Sequence, residues 1–201
     1  LGQLRVERHS FLLEQALLAP GELMYSVTSA RSRRDGLRSV ISVDWGLARS
    51  VTASASLVRQ ERDGAARRYA SAALNGYWNA FLGGATVVRS SDGGMLTQLS
   101  AKTRVFGVAV GAARAWTRDF ASDYYPAGAD PVRLRDELRI DTALAAVQFA
   151  LQARRDRFGS GAEIADAALR ASTYRFGTAL SHAVRWHGGP GGRTVEGVLQ
   201  V

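Results

Sequence analysis

The sequence predicts an all-β chain, an antiparallel meander of about twelve long strands forming part of a transmembrane β-barrel. Three observations predict it. Apolar and polar residues alternate with period two through most of the 201 residues. The alternating segments run to roughly 9–13 residues, about twice the usual soluble strand and the length of a tilted membrane-spanning one. Turn sequences separate most of them: Arg34–Gly36 (RDG), Glu61–Gly64 (ERDG), Ser91–Gly94 (SDGG) and Asp156–Gly161 (DRFGSG).

The first strand is expected over Leu23–Arg31, where the run follows a Pro-Gly turn, and the second over Arg38–Trp45, where Ile41, Val43 and Trp45 alternate with Ser42 and Asp44. Val51–Gln60 follows, with Val51, Ala53, Ala55 and Leu57 against Thr52, Ser54 and Ser56. Arg67–Tyr77 and Ala80–Arg89 come next, then Met95–Phe106, in which Gln98, Ser100, Lys102 and Arg104 share one side and Leu99, Ala101, Thr103 and Val105 the other. Gly107–Arg118 precedes the longest connection, Asp119–Pro131 (DFASDYYPAGADP), which long-loop behaviour in outer-membrane barrels assigns to the extracellular side.

Arg133–Leu144 carries the clearest pattern. Leu134, Leu138, Ile140, Thr142 and Leu144 fall on one register, and Arg133, Arg135, Glu137, Arg139 and Asp141 on the other. Ala145–Arg155 and Ala162–Thr173 are alanine-rich and suit helices on propensity. They are assigned as strands because Ala145, Val147, Phe149 and Leu151 alternate with Gln148, Gln152 and Arg154. Tyr174–Trp186 and Thr194–Val201 complete the set.

A strand with one greasy and one ionic face needs two solvents. A β-sandwich in water alternates too, and that soluble binding-module reading stays open as an alternative. Strand length favours the membrane, and so does the placement of aromatics at strand ends, among them Trp45, Tyr69, Tyr77, Trp78, Phe81, Phe106, Trp116, Phe120, Tyr124, Tyr125, Tyr174 and Trp186. Charges deep within strands favour it again, because a wet lumen tolerates them where a packed core does not. The expected pore-lining residues are Gln98, Lys102, Arg104, Arg133, Arg135, Glu137, Arg139, Asp141, Arg175 and Arg185. The whole chain, residues 1–201, reads as one barrel segment in contact with membrane lipids of the outer membrane, with no plug or periplasmic domain recognisable.

Composition narrows the chemistry. The net charge of +8 rests almost wholly on arginines scattered along the chain, with Lys102 the single lysine, so no concentrated face for nucleic acid is predicted. There is no cysteine, which excludes disulfides and thiolate metal sites. His182 and His187 lie five apart and face opposite sides of a strand, so they do not form a metal pair, and His9 is distant in sequence. Arginines at 133, 135 and 139 interleave Glu137 and Asp141, which predicts ion-paired ladders in place of acid catalysis. The run His187–Gly192 (HGGPGG) looks like a hydrolase oxyanion loop, but no G-x-S-x-G nucleophile elbow occurs, and a glycine-rich hairpin turn explains it. No enzyme activity, cofactor or metal is therefore expected.

The segment Leu17–Arg33 (LLAPGELMYSVTSARSR) carries a leucine pair, a Pro-Gly turn, a Tyr-Ser step and a small residue followed by arginine. It resembles the stretch that follows the plug domain and leads into the second part of the barrel in outer-membrane fimbrial ushers, the platforms of the chaperone–usher pathway. The matching residues are Leu17, Leu18, Pro20, Gly21, Tyr25, Ser26, Arg31 and Arg33, with Ala30 where ushers commonly have glycine. The resemblance implies that the chain is an internal piece of a larger protein that translocates pilus subunits and serves as platform for fimbrial assembly. Subunits and periplasmic chaperone would then be met through parts outside this chain. A stand-alone outer-membrane porin or secretion barrel of about twelve strands is the alternative the pattern also allows. The chain starts at Leu1 with neither an initiator methionine nor a signal peptide, which reads as a mature protein or an excised piece.

Overall fold

The computed structural model describes residues 17–32, 36–62, 65–175 and 178–200. They form twelve strands and no helix: β1 (Leu23–Ser32), β2 (Gly36–Ala48), β3 (Val51–Arg62), β4 (Ala65–Trp78), β5 (Phe81–Ser90), β6 (Met95–Val105), β7 (Val108–Arg118), β8 (Val132–Leu144), β9 (Val147–Phe158), β10 (Glu163–Arg175), β11 (Thr178–Gly189) and β12 (Gly192–Gln200). All twelve expected segments are strands, the two alanine-rich ones included. One sheet holds them in the order β1 to β12, each antiparallel to its neighbours in sequence. β1 and β12 are not paired with each other, so the sheet has two open edges among the described residues.

The sheet has two ends of different character. At one end the connections are two-residue turns such as Arg49–Ser50, Asn79–Ala80, Phe106–Gly107 and Ala145–Ala146. Phe106 and Gly107 both have positive φ (49° and 81°), the pair of left-handed residues a tight hairpin twisted like its strands requires. At the other end lie the longer connections, including 91–94, 119–131 and 159–162.

The two faces differ as the alternation predicts. One carries Ile41, Val43, Trp45, Leu57, Leu74, Leu99, Leu138, Leu169 and Val184, all exposed. Towards the long-loop end this apolar face gives way to an ionic rim, with Arg59–Glu61 at 2.8 Å, Arg114–Asp136 at 2.6 Å, and Glu163 held by Arg155 at 2.6 Å and Arg157 at 2.8 Å. The opposite face is concave. Ser26 of β1 and Glu137 of β8 line one cavity of about 300 Å³, so the sheet curls towards that side.

The apolar core lies on the concave face, at the long-loop end. Val58, Tyr69, Leu96, Ala115, Phe120, Tyr125 and Val132 are buried together, with Val40, Val88, Tyr124 and Phe158 packed against them. Four of the aromatics expected at membrane interfaces, Tyr69, Phe120, Tyr124 and Tyr125, are in this cluster instead. Their rings meet edge-on, with centroids 5.8 Å apart for Tyr69–Phe120, 6.1 Å for Phe120–Tyr125 and 5.2 Å for Tyr124–Tyr125. Trp45, Trp78, Phe81, Phe106 and Trp116 are exposed, and the side chain of Tyr174 lies outside the described residues.

The Leu17–Glu22 segment is tied to the short-turn end. The Leu18 N–H donates to Thr52 Oγ1 at 2.9 Å, and the Gly21 N–H to the Gly46 carbonyl at 2.8 Å. Gly21 takes φ +81°, and a Cβ on Gly46 would sit 2.0 Å from the Ala19 carbonyl oxygen. The Pro-Gly turn and the β2 glycine are thus one fitted contact. Arg33 and His9 lie outside the described residues.

Candidate functional site

The concave face is built from two materials. Over β1–β7 it is mostly hydroxyl and amide. Ser26, Ser42, Ser56 and Ser71 stand opposite one another in successive strand pairs. Their hydroxyls bond across the strands, Ser26 to Ser42 at 2.7 Å and Ser56 to Ser71 at 2.6 Å. Ser54, Thr86, Gln98 and Ser100 line the same cavity.

Over β8–β11 the same face is ionic. Arg135 grips Asp156 with two parallel bonds, Nε to Oδ1 at 2.6 Å and Nη2 to Oδ2 at 2.9 Å. Arg154 reaches the same carboxylate at 3.5 Å and donates to Asp166 at 2.7 Å, while Asp166 holds His187 Nδ1 at 2.5 Å. The groups alternate in sign from strand to strand because the register sets Arg135 opposite Asp156, Arg154 opposite Asp166 and Asp166 opposite His187.

The loop 119–131 joins the two materials. It does not project from the sheet but folds back across the concave face. The Tyr69 hydroxyl donates to the Ala121 carbonyl at 2.9 Å, and Gln60 Nε2 donates to Asp123 at 2.8 Å. At its start the loop crosses Gly94 so closely that a Cβ there would lie 2.3 Å from the Asp119 carbonyl oxygen. On the ionic side the Arg135 guanidinium stacks 4.4 Å from the Tyr124 ring centre and 4.5 Å from that of Tyr125, and donates to the Tyr124 carbonyl at 3.1 Å. The Tyr124 hydroxyl donates to the Glu137 carboxylate. Arg135 and Asp156 are 4% and 5% exposed, so this pair is sealed beneath the loop.

Burial, then the neighbouring Glu137 carboxylate, pushes the Tyr124 phenol up to about 12. Burial pushes Tyr125 up further, against the pull of Arg135. At the loop's far end Asp130 accepts the Ser160 N–H at 2.8 Å and its hydroxyl at 2.5 Å, bonds that hold its carboxyl below the usual range.

The residues expected to line a pore divide accordingly. Gln98, Lys102, Arg104, Arg135, Glu137, Arg139, Asp141 and Arg185 occupy the concave register. Among them Arg135 is covered, Glu137 serves the loop tyrosine where an arginine partner was expected, and Arg139 pairs with Asp141 at 2.6 Å. Arg133 departs from the row. A register shift between Val132 and Leu134 turns it to the rim, where it meets Asp119 at 3.3 Å. The side chain of Arg175 lies outside the described residues. His182 stands on the face opposite His187, as their spacing predicts.

Sequence reasoning missed Asp156, Tyr69 and the loop tyrosines as one unit. A signal was there. Val40, Val58, Tyr69, Val88 and Leu96 interrupt the otherwise polar register, all near the long-loop end of their strands. Apolar residues on a polar face need a cover, and the loop supplies it. No family model matches the chain in sequence, and no curated protein matches it either.

Proposed function

We propose that this chain is a wall segment of an outer-membrane β-barrel of the usher kind that Leu17–Arg33 resembles, passing folded pilus subunits along its concave face to the cell surface. The observation that carries the reading is the sheet itself: twelve neighbour-paired strands with apolar side chains exposed on one face and polar ones on a concave other. In lipid every backbone donor and acceptor must be paired within protein. The open edges of β1 and β12 therefore support a place within a larger barrel, where further strands cover them. A mixed-charge wall binds a folded protein weakly and lets it pass, whereas an apolar wall would hold it.

The test places single cysteines in the full protein in outer-membrane vesicles, using the absence of native cysteine in this segment. A water-soluble maleimide is expected to label position 139 and to leave position 138 unlabelled. The same variants are scored for surface pili, and bulky labels at 139 are expected to reduce them. Equal labelling of both positions sinks the membrane reading; normal piliation after deletion of this segment sinks the usher reading.

One observation favours a second reading, a barrel for small solutes: a loop lying across the concave face narrows whatever path runs there. Solute uptake by proteoliposomes with a sharp size limit, and no effect on pili, would decide for it.

A further inference from the structure

We infer that the 119–131 loop is a latch that closes the concave path at the long-loop end, with Arg135 as its pin. The inference rests on the barrel reading above, in either form, and adds a closed and an open state to it.

The geometry assigns the two roles. From its root on β8 the loop reaches back to Gln60 on β3, roughly 24 Å along the sheet at the ~4.8 Å spacing of neighbouring strands. It therefore bars most of the curled half of the sheet, and its far end is fastened to β9 and the turn after it, through Phe158 against the apolar cluster and Ser160 on Asp130. Its grip is of two kinds. On the β3–β6 side it is apolar with two hydrogen bonds: Phe120 sits in the cluster of Leu96 and Tyr69 with Val88 packed against it, while Tyr69 bonds the Ala121 carbonyl and Gln60 bonds Asp123. On the β8 side it is specific, because Arg135 makes every one of its bonds either to the wall (Asp156) or to the loop (the Tyr124 carbonyl and both tyrosine faces). A guanidinium that is fixed by a buried carboxylate and capped by two rings belongs to wall and loop at once.

The pin has a built-in alternative. Asp156 already has a second cation, Arg154, at 3.5 Å, and Glu137 is free to take a cation when Tyr124 leaves it. When the loop lifts, the wall charges keep partners, so opening exposes rings and a guanidinium but strands no buried carboxylate. That is what makes the contact a latch and not a permanent strut.

The experiment uses the full protein reconstituted in planar bilayers and two orthogonal variants. Gln60→Cys with Asp123→Cys places thiols on the loop and wall residues whose side chains a 2.8 Å hydrogen bond now joins, to be bridged by a short cleavable bis-thiol linker. Cross-linking is expected to hold conductance at its minimum, and cleavage of the linker to restore openings. Arg135→Met is expected to raise open probability several-fold and to make the loop cleavable by chymotrypsin at its aromatic residues. If the cross-linked double variant conducts like the cleaved one, the latch is overturned. If Arg135→Met conducts normally with the loop still protected, Arg135 is not the pin. Should Arg135→Met fail to insert, the cysteine pair decides alone. Failure of the barrel reading shows differently, as maleimide labelling of position 138 from water in the unmodified background.

Discussion

The concave faces of β1–β7 and β8–β11 solve the same problem with different chemistry. Both must carry polar groups on a strand interior. The first does it mainly with serine, threonine and amide groups, of which Ser26 bonds to Ser42 and Ser56 to Ser71, and keeps Lys102 and Arg104 towards the short-turn end of β6. The second uses full charges in a ladder from Arg135 through Asp156 and Arg154 to Asp166, which also bonds His187. Neutral hydroxyls are sufficient to join strands. Buried charge is used where something outside the sheet, the loop, has to be held in one place, since a bidentate arginine fixes orientation in a way a hydroxyl does not.

That contrast can be broken most severely at Arg135. Arg135→Met removes one member of a buried pair and is expected to destabilise by about 3 kcal/mol, the low end for such a loss because Arg154 still faces Asp156. Denaturant unfolding in detergent measures it. Adding Asp156→Leu should recover much of that loss, since an apolar pair of similar volume is often as stable as a buried ion pair. If the double variant is worse than the single one, the ladder stabilises the sheet itself and not chiefly the loop.

Alkali separates the halves without mutation. Tyr124 has its phenol raised from 10.0 to about 12, so the folded form retains a proton that the unfolded chain gives up. The sign follows: this contribution to stability is complete below pH 10 and is lost as pH rises from 10 to about 12. Loop cleavage should therefore rise through that window, together with tyrosinate absorbance, while the serine rows of β1–β4 stay protected from hydrogen exchange. Simultaneous loss of both would refute the division.

Gly94→Val tests the loop from its neutral side. Its Cβ would press on the Asp119 carbonyl carbon and oxygen at 2.8 and 2.3 Å, and the misfit should cost on the order of 1–3 kcal/mol, read as a lower unfolding midpoint with the loop newly cleavable. Ser56→Ala removes a single hydroxyl bond at a part-buried site and should cost about 1 kcal/mol in the same unfolding assay. Smallest is Arg139→Gln. Its ion pair with Asp141 is exposed, and less than about 1 kcal/mol is expected. A loss at 139 equal to that at 135 would show that burial is not what sets the difference.

Much of this was legible in the residues. The twelve segments and their faces follow from period-two alternation, which overrode helix propensity even at Ala145–Arg155, because strands β8 and β10 on either side set Ile140 and Leu169 opposite Leu151. What stayed hidden depended on long-range contact. Alternation assigns Arg133 to the ionic row, but it says nothing of the bulge that turns it out. It sorts tyrosines by strand end, but it does not tell a ring facing lipid from one under a loop. Asp136 lies in the apolar register and is tolerated there because Arg114 on the next strand meets it at the rim.

The pairing order has a consequence for how such a chain acquires its shape. Every strand meets only its neighbours in sequence, across connections that are mostly two to four residues and at most the thirteen of 119–131. Closing short loops costs little entropy, and contacts of low sequence separation form fast. Assembly can proceed as a zipper, each finished hairpin offering the edge on which the next one grows. Because hairpins add strands in twos, lengthening or shortening the wall by one hairpin would leave every other register intact and keep the first and last strands opening on the same side.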